Sequence, residues 1–413
     1  TRSSIMTGKY PARTDNTDWF GAPQPENAKG HWVGNHPMLP APYVEHMDLE
    51  EVTLAEALKE GGYSTFFAGK WHLGHTEKYW PLEQGFDINK GGWSKGRPHR
   101  QNGANGYFSP YGIPTLEDGP VGEHLPDRLA EETIEFIDKQ GNQPFLAYLS
   151  FYEVHTPLMT TGEMEQKYQE KKEKLALEDR WGKEGDRRVR LVQSHPVYAG
   201  MVEDMDRAVG RVMDKLESAG LEDNTIIFFM SDNGGLSTAG GHPTSNRPLR
   251  AGKGWLYEGG IREPMIIKWP GVAQAGSVCD VPVTSTDFYP TMLEMAGLPM
   301  RPDQHMDGRS LVSLLKQGQP PEREALYWHY PHNGPQGSSP GSVIRQGRYK
   351  LIRFYESKRV ELYDLSVDIG EEHDISQDRP ELTQQLLEKL NRWLEETDAK
   401  YPKPNPEYEE EIE

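Results

Sequence analysis

Cysteine is almost absent: Cys279 is the single one in 413 residues. One thiol excludes an internal disulfide and a cysteine-rich zinc site. Its setting, Val278-Cys279-Asp280-Val281, matches no reactive-cysteine motif, so the expectation is a small buried residue. No apolar run is long enough for a membrane span. Positive charge is also short, since 45 Lys and Arg stand against 64 Asp and Glu, a net charge of −19. That sign argues against nucleic acid as a partner. It does not argue against an anionic ligand, because a few local cations reverse the field inside one pocket. The first residue is Thr1, so the lack of a visible leader carries no information about export.

What is present is a folded composition, 35% hydrophobic and 10% aromatic, with length enough for more than one domain. Short apolar runs alternate with amphipathic segments through the first three quarters. The pattern predicts strands at 64–68, 145–151, 225–230 and 264–269 and helices at 52–61, 126–139 and 198–216. Strands apolar on both faces, interleaved with helices, imply an α/β fold: a mostly parallel sheet sandwiched by helices. The segment 163–190 mixes Lys, Arg and Glu and reads as a solvated helical insertion rather than a basic patch. After about residue 320 the pattern changes to strands at 342–355 and 360–365 and an amphipathic helix at 381–397. The expected division is a domain over 1–320 and an α+β subdomain of antiparallel sheet plus helix over 321–413, ending in the acidic tail EYEEEIE.

Three polar clusters follow three of these strands: Gly69-Lys70-Trp71-His72-Leu73-Gly74, Glu153-Val154-His155-Thr156-Pro157 and Ser231-Asp232-Asn233-Gly234-Gly235. In open α/β sheets, ligands collect beyond the carboxyl ends of strands, so three clusters at such ends suggest one site. Asp232 and Asn233 offer hard oxygen donors suited to Ca²⁺ or Mg²⁺, although Asp-Asn-Gly-Gly is also good turn chemistry. Arg2, Lys70 and Lys253 are candidate partners for an oxyanion, and His72 and His155 are candidate proton carriers, each alone equally readable as a surface or structural residue. Asp204 and Asp206 fall in mid-helix and are expected to be exposed.

The opening Thr1-Arg2-Ser3-Ser4-Ile5-Met6-Thr7-Gly8 resembles the second half of the type I sulfatase signature, within the alkaline phosphatase superfamily. The remaining motifs run in family order: GKWHLG at 69–74, HTP at 155–157, SDNGG at 231–235, LRAGKGWLYEGGIREP at 249–264 and VELYDLSVDIGEEHDIS at 360–376. The resemblance implies a sulfuric ester hydrolase. Its nucleophile would be a formylglycine, made from a Cys or Ser three positions before Thr1. The family's first strand, with two further calcium-binding Asp residues, would also lie upstream. Arg2 and Lys70 would hold the formylglycine hydrate oxygens, and His72 would handle the hydrate proton. Asp232 and Asn233 would bind one Ca²⁺, Lys253 would contact sulfate, and His155 would lie beside the bridging oxygen of the ester. The types make chemical sense: cations offset charge crowding around sulfur, and a sugar alkoxide needs a proton to leave.

The WHYPHN segment at 328–333 and the Gly-rich loop carrying Trp93, Arg97, His99 and Arg100 place aromatic rings beside His and Arg. Together with His329 and His332 they are candidates for contacting a sulfated sugar. The pattern is most similar to bacterial carbohydrate sulfatases and points to galactose-type sugars of a polysaccharide, cleaved outside the cell or in the periplasm. Two other readings stay open: a phosphatase or phosphodiesterase of the same superfamily, and a non-catalytic sugar-binding relative.

Overall fold

The computed structural model describes residues 1–409; the last four residues of the acidic tail, 410–413, lie outside the described residues. A three-stranded parallel sheet sits at the centre, with Ser64–Gly69 between Ile88–Lys90 and Phe145–Ser150. Along its middle strand, side chains alternate between faces. Phe67 enters a core with Leu54, Leu58, Met6, Phe288 and Leu293, so the helices Arg2–Thr7, Leu54–Glu60 and Phe288–Met295 cover that face. Phe66 and Ala68 enter a second core with Leu125, Leu129, Phe136 and Met201, from the helices Leu125–Asp138 and Pro196–Ser218 on the other face. Each such fully buried aromatic or leucine is worth about 1.5–3 kcal/mol.

The helix Leu54–Glu60 starts where its sequence says it should. The Thr53 hydroxyl accepts from the Glu56 N–H at 3.1 Å, and the Glu56 carboxylate accepts from the Thr53 N–H at 2.7 Å. The strand Ile227–Met230 pairs with Met265–Lys268, and this pair is antiparallel and separate from the parallel sheet.

The C-terminal part is a four-stranded antiparallel sheet, Leu326–Tyr330, Gly341–Gln346, Tyr349–Phe354 and Val360–Asp364, backed by the helix Pro380–Glu396. The 360–376 motif acts as its fastener. Lys350 is fully buried between Glu258 (3.0 Å) and Glu371 (2.8 Å), and Glu371 also accepts from the Glu258 N–H at 2.6 Å. Glu361 accepts from the hydroxyls of Tyr257 and Tyr363. These bonds bind the C-terminal sheet to the 250–261 segment.

Three expectations are corrected. Residues 163–190 are not one helix. The helix Gly162–Lys174 ends at Leu175, Ala176 takes a positive φ of 48°, and Trp181–Glu184 pairs with Arg187–Arg190 as a hairpin. Helix-period reading failed there because Gly182 and Gly185 break helices while charged residues mask the two-residue alternation. Cys279 is exposed, within a run of exposed residues over 274–280. Asp204 is buried, accepting from the Thr160 hydroxyl at 2.5 Å and 3.7 Å from His124, whereas Asp206 is exposed as expected.

Candidate active site

The strand Ser64–Gly69 ends because Gly69 turns at φ +96° against the Ser150 carbonyl, a conformation and a closeness open only to glycine. The next residue is thereby locked to the neighbouring strand: the Lys70 N–H donates to Ser150 O at 2.7 Å, and the Ser150 hydroxyl donates to Lys70 O at 2.9 Å. Lys70 is 9% exposed. Desolvation, with Arg2 and Lys253 nearby, brings its ammonium down to about 7, against the opposing pull of Asp232.

His72 follows with φ 53°, its N–H bonded to Trp93 O at 3.0 Å. Its Nε2 lies 2.9 Å from Phe20 O. A carbonyl only accepts, so Nε2 carries the proton and Nδ1 is the basic nitrogen, packed directly against Gly96. Burial and the charges of Arg2 and Lys70 keep this imidazole neutral, at about 3.

Arg2, on the N-terminal helix, donates from Nε to Trp71 O at 2.9 Å and from Nη1 to Asp232 Oδ2 at 2.8 Å. Asp232 follows the strand Ile227–Met230, and the Thr1 hydroxyl donates to its carbonyl at 2.6 Å. Desolvation raises its carboxyl, but Lys70, Arg2 and Lys253 outweigh this and hold it below the ordinary carboxylate range. The Asn233 amide donates to Asp232 Oδ1 at 2.6 Å, which aims the Asn233 carbonyl oxygen elsewhere. Gly234 sits on the Gly259 carbonyl, where no Cβ fits.

His155 follows the strand Phe145–Ser150. Its Nδ1 donates to Thr156 O at 2.9 Å, leaving Nε2 as a free acceptor. Burial, Lys253 and Lys70 lower it to about 3. Lys253 is placed by its N–H bond to Gly235 O (3.1 Å), and Gly252 packs on Gly235 and Asn246 with no space for a side chain. Desolvation lowers the Lys253 ammonium, with Asp232 opposing.

The structure thus brings Arg2, Lys70, His72, His155, Asp232, Asn233 and Lys253 into one electrostatically coupled cluster. The loop carrying Trp93 adjoins it: Trp93 is half-buried, with its ring 5.7 Å from that of His99, and Arg97 and Arg100 are exposed. His329 and His332 do not join it. His329 engages Ser342 Oγ at 2.6 Å through Nδ1 and Lys400 O at 2.9 Å through Nε2, so neither nitrogen is left for a ligand. His332 is 1% exposed and bonded to the Thr17 hydroxyl at 2.8 Å. They were candidates for contacting a sugar, but His329, in the strand Leu326–Tyr330, and His332, just beyond it, are both buried. Trp19 and Phe20, missed in the sequence, stand beside His72: Phe20 supplies its carbonyl and Trp19 an exposed ring 6.5 Å away. The adjacent Trp-Phe pair was the available signal.

As for a cation, the donor chemistry of Asp232 and Asn233 fits Ca²⁺, which takes six to eight oxygens. Among the described residues no group of three or more His, Cys, Asp or Glu could hold a metal alone. Among the described residues no helix is long and apolar enough to cross a membrane.

Comparison with known proteins identifies the family. Residues 1–298 match the sulfatase family model, and residues 251–400 match the N-sulphoglucosamine sulphohydrolase C-terminal model. A sulfatase from Formosa agariphila is 31% identical over 97% of this chain and 79% of its own length. Human N-acetylgalactosamine-6-sulfatase is 30% identical over 79% of this chain, which spans 58% of that enzyme. The crystal structure of Ps i-CgsB in complex with k-i-k-neocarrahexaose superimposes with a TM-score of 0.73 at 27% identity, covering 98% of this chain and 83% of that one. The architecture is the alkaline phosphatase-like α/β fold of these enzymes. The chain belongs to the sulfatase family, hydrolases of sulfate esters.

Proposed function

We propose that this protein is an exported hydrolase of O-sulfated sugars, of galactose type, within a polysaccharide. The observation that carries the reading is the convergence of Arg2, Lys70, Lys253 and His155 around Asp232 from five separate segments. Three cations in a desolvated pocket are an anion site, and one carboxylate beside two neutral imidazoles leaves net positive charge for a sulfate. A phosphatase of the same superfamily would use such a pocket for phosphate, and the ranking of the two ester classes separates the readings. The carbohydrate class is supported by the oligosaccharide in the Ps i-CgsB complex and by the name of the human relative.

In this reading residues 1–320 form the catalytic domain and 321–413 the subdomain that braces it. Asp232 and Asn233 would hold part of the shell of one Ca²⁺, which would supply further positive charge at the sulfate, and a formylglycine encoded upstream of Thr1 would be the nucleophile. The chain's own residues do the rest. Arg2 and Lys70 orient the reacting end, and Lys253 binds a sulfate oxygen. His72 accepts a proton at Nδ1. His155 is neutral at Nε2 until a sulfate anion offsets Lys253 and Lys70; it then gains a proton there, held in place by its Nδ1–H bond to Thr156, and delivers it to the departing sugar oxygen. The loop bearing Trp93, Arg97, His99 and Arg100 borders the sugar.

The test is release of inorganic sulfate by the full-length protein from galactose 4-sulfate and 6-sulfate, beside phosphate release from nitrophenyl phosphate. Sulfate release with little phosphate release is expected, and the opposite ranking would overturn the reading. Calcium is tested separately by its effect on the melting temperature.

A further inference from the structure

The hairpin Trp181–Glu184/Arg187–Arg190 carries an unusual charge arrangement for a chain of net charge −19. Its register sets Lys183 directly opposite Arg188, and both are exposed. Like charges directly opposite each other destabilise a hairpin. Here neither has an acidic partner among the described residues, nor has the exposed Arg187. The acids nearby are engaged elsewhere. Glu184 forms a two-point pair with Arg250 (2.7 and 2.9 Å), and Asp179 is held by Lys172 and Arg190. Asp186, in the turn, is the one hairpin acid without an ion pair among the described residues. The Arg188 guanidinium lies 3.6 Å over the Trp181 ring, a contact made through the cation's face that uses none of its N–H groups.

The hairpin is also fastened to the candidate site. Glu184 grips Arg250, in the same loop as Lys253, and Gly185 lies over the Trp255 ring on the other side of that lysine. The Arg190 N–H bonds Ser237 O at 3.2 Å and its Nε bonds His242 O at 2.5 Å, in the loop that follows Asp232 and Asn233. Arg187 crosses directly over Gly337, in the loop whose Gln336 packs on Gly254.

From this geometry we infer that Lys183, Arg187 and Arg188 form a docking ridge for a second anionic group of a polysulfated glycan chain whose reacting ester lies at Lys253. The inference rests on the reading of the site as a sugar sulfatase. Exposed cations on a rigid two-stranded support, unpaired and next to the sulfate-binding loop, favour polyvalent chains over single sugars. One sulfate at Lys253 and another at the ridge act as two linked contacts.

The test uses the full-length protein and a triple variant, Lys183→Gln with Arg187→Gln and Arg188→Gln. A control of equal charge change, Lys59→Gln with Lys139→Gln and Lys316→Gln, lies on other surfaces. Electrophoresis through gels containing a sulfated galactan, or the same galactan after desulfation, reads binding without turnover. Retardation by the sulfated polymer should weaken about three- to tenfold in the ridge variant, with a shallower salt dependence, and persist in the control. KM for the polymer should rise by a similar factor while cleavage of a monosulfated galactose is unchanged, which also reports that the variant is folded. The single variant Arg187→Gln, at an exposed site, gives a milder version if the triple variant melts early. Equal retardation of ridge variant and parent overturns the inference. If the parent releases no sulfate from any sugar, the functional reading falls, and the retardation result still decides whether the ridge binds a polyanion.

Discussion

Arg2 and Asp232 meet at 2.8 Å although 230 positions separate them in sequence, and the bond joins the first helix to the end of the strand Ile227–Met230. It places the one carboxylate of the cluster against the cation nearest the chain's start. Asp232→Ala should therefore reduce sulfate release at least about a hundredfold, the scale of losing one preorganised electrostatic contact. Its side chain is 40% exposed, so the melting temperature should move little. Near-normal turnover in that variant would remove Asp232 from the site.

Lys253 and His155 should fail in different ways. Sulfate keeps its charge throughout the reaction, so Lys253→Ala should raise KM and lower kcat together. His155→Ala should lower kcat mainly, and more for a sugar sulfate than for nitrophenyl sulfate, whose phenolate leaves without a proton. Equal losses on the two substrates would exclude His155 as the leaving-group acid.

Asp18 gives a pH-dependent signature in stability. Its side chain is 7% exposed, accepts from the Trp19 N–H at 2.8 Å and the Tyr330 hydroxyl at 3.2 Å, and is pushed up to about 7 by desolvation. A carboxyl with a folded pKa above its unfolded one releases its proton first in the unfolded chain. Stability therefore falls as pH rises from about 4 to about 7 and levels off above, a loss of up to about 4 kcal/mol. Asp18→Asn should melt higher than the parent at pH 8, and the gap should close by pH 4. A gap that is independent of pH would show that Asp18 is ionised in the fold throughout.

Lys350 should be among the most sensitive structural positions. Replacing it with Met leaves Glu258 and Glu371 buried without their shared cation, at a cost of about 3–5 kcal/mol. Because both carboxylates flank the segment that carries Lys253, activity should fall with stability. Replacing Glu371 with Gln as well should recover part of the loss, since one buried charge is then removed; no recovery would mean the carboxylates are not coupled through Lys350.

The sequence by itself determined the elements with strong local periods. The helices 125–138, 196–218 and 380–396 and the strands 64–69 and 145–150 begin and end within a residue or two of where their patterns do, because periodicity and caps act over a few neighbours. It also determined the chemical types at the strand ends, where Gly69 and Gly234 admit no other residue. Only the tertiary structure decided which polar residues meet. Nothing local to Arg2, Lys70, His155 or Lys253 specifies the others, and the lowered proton affinities of Lys70, His155 and Lys253 come from desolvation and from neighbouring charges. The same long-range packing buried His329, His332 and Asp204, left Cys279 in solvent, and paired Asp179 and Glu184 with cations while leaving Lys183, Arg187 and Arg188 exposed on the hairpin. A residue's burial and its partner are properties of segments distant in the chain, and a short window of sequence holds no record of them.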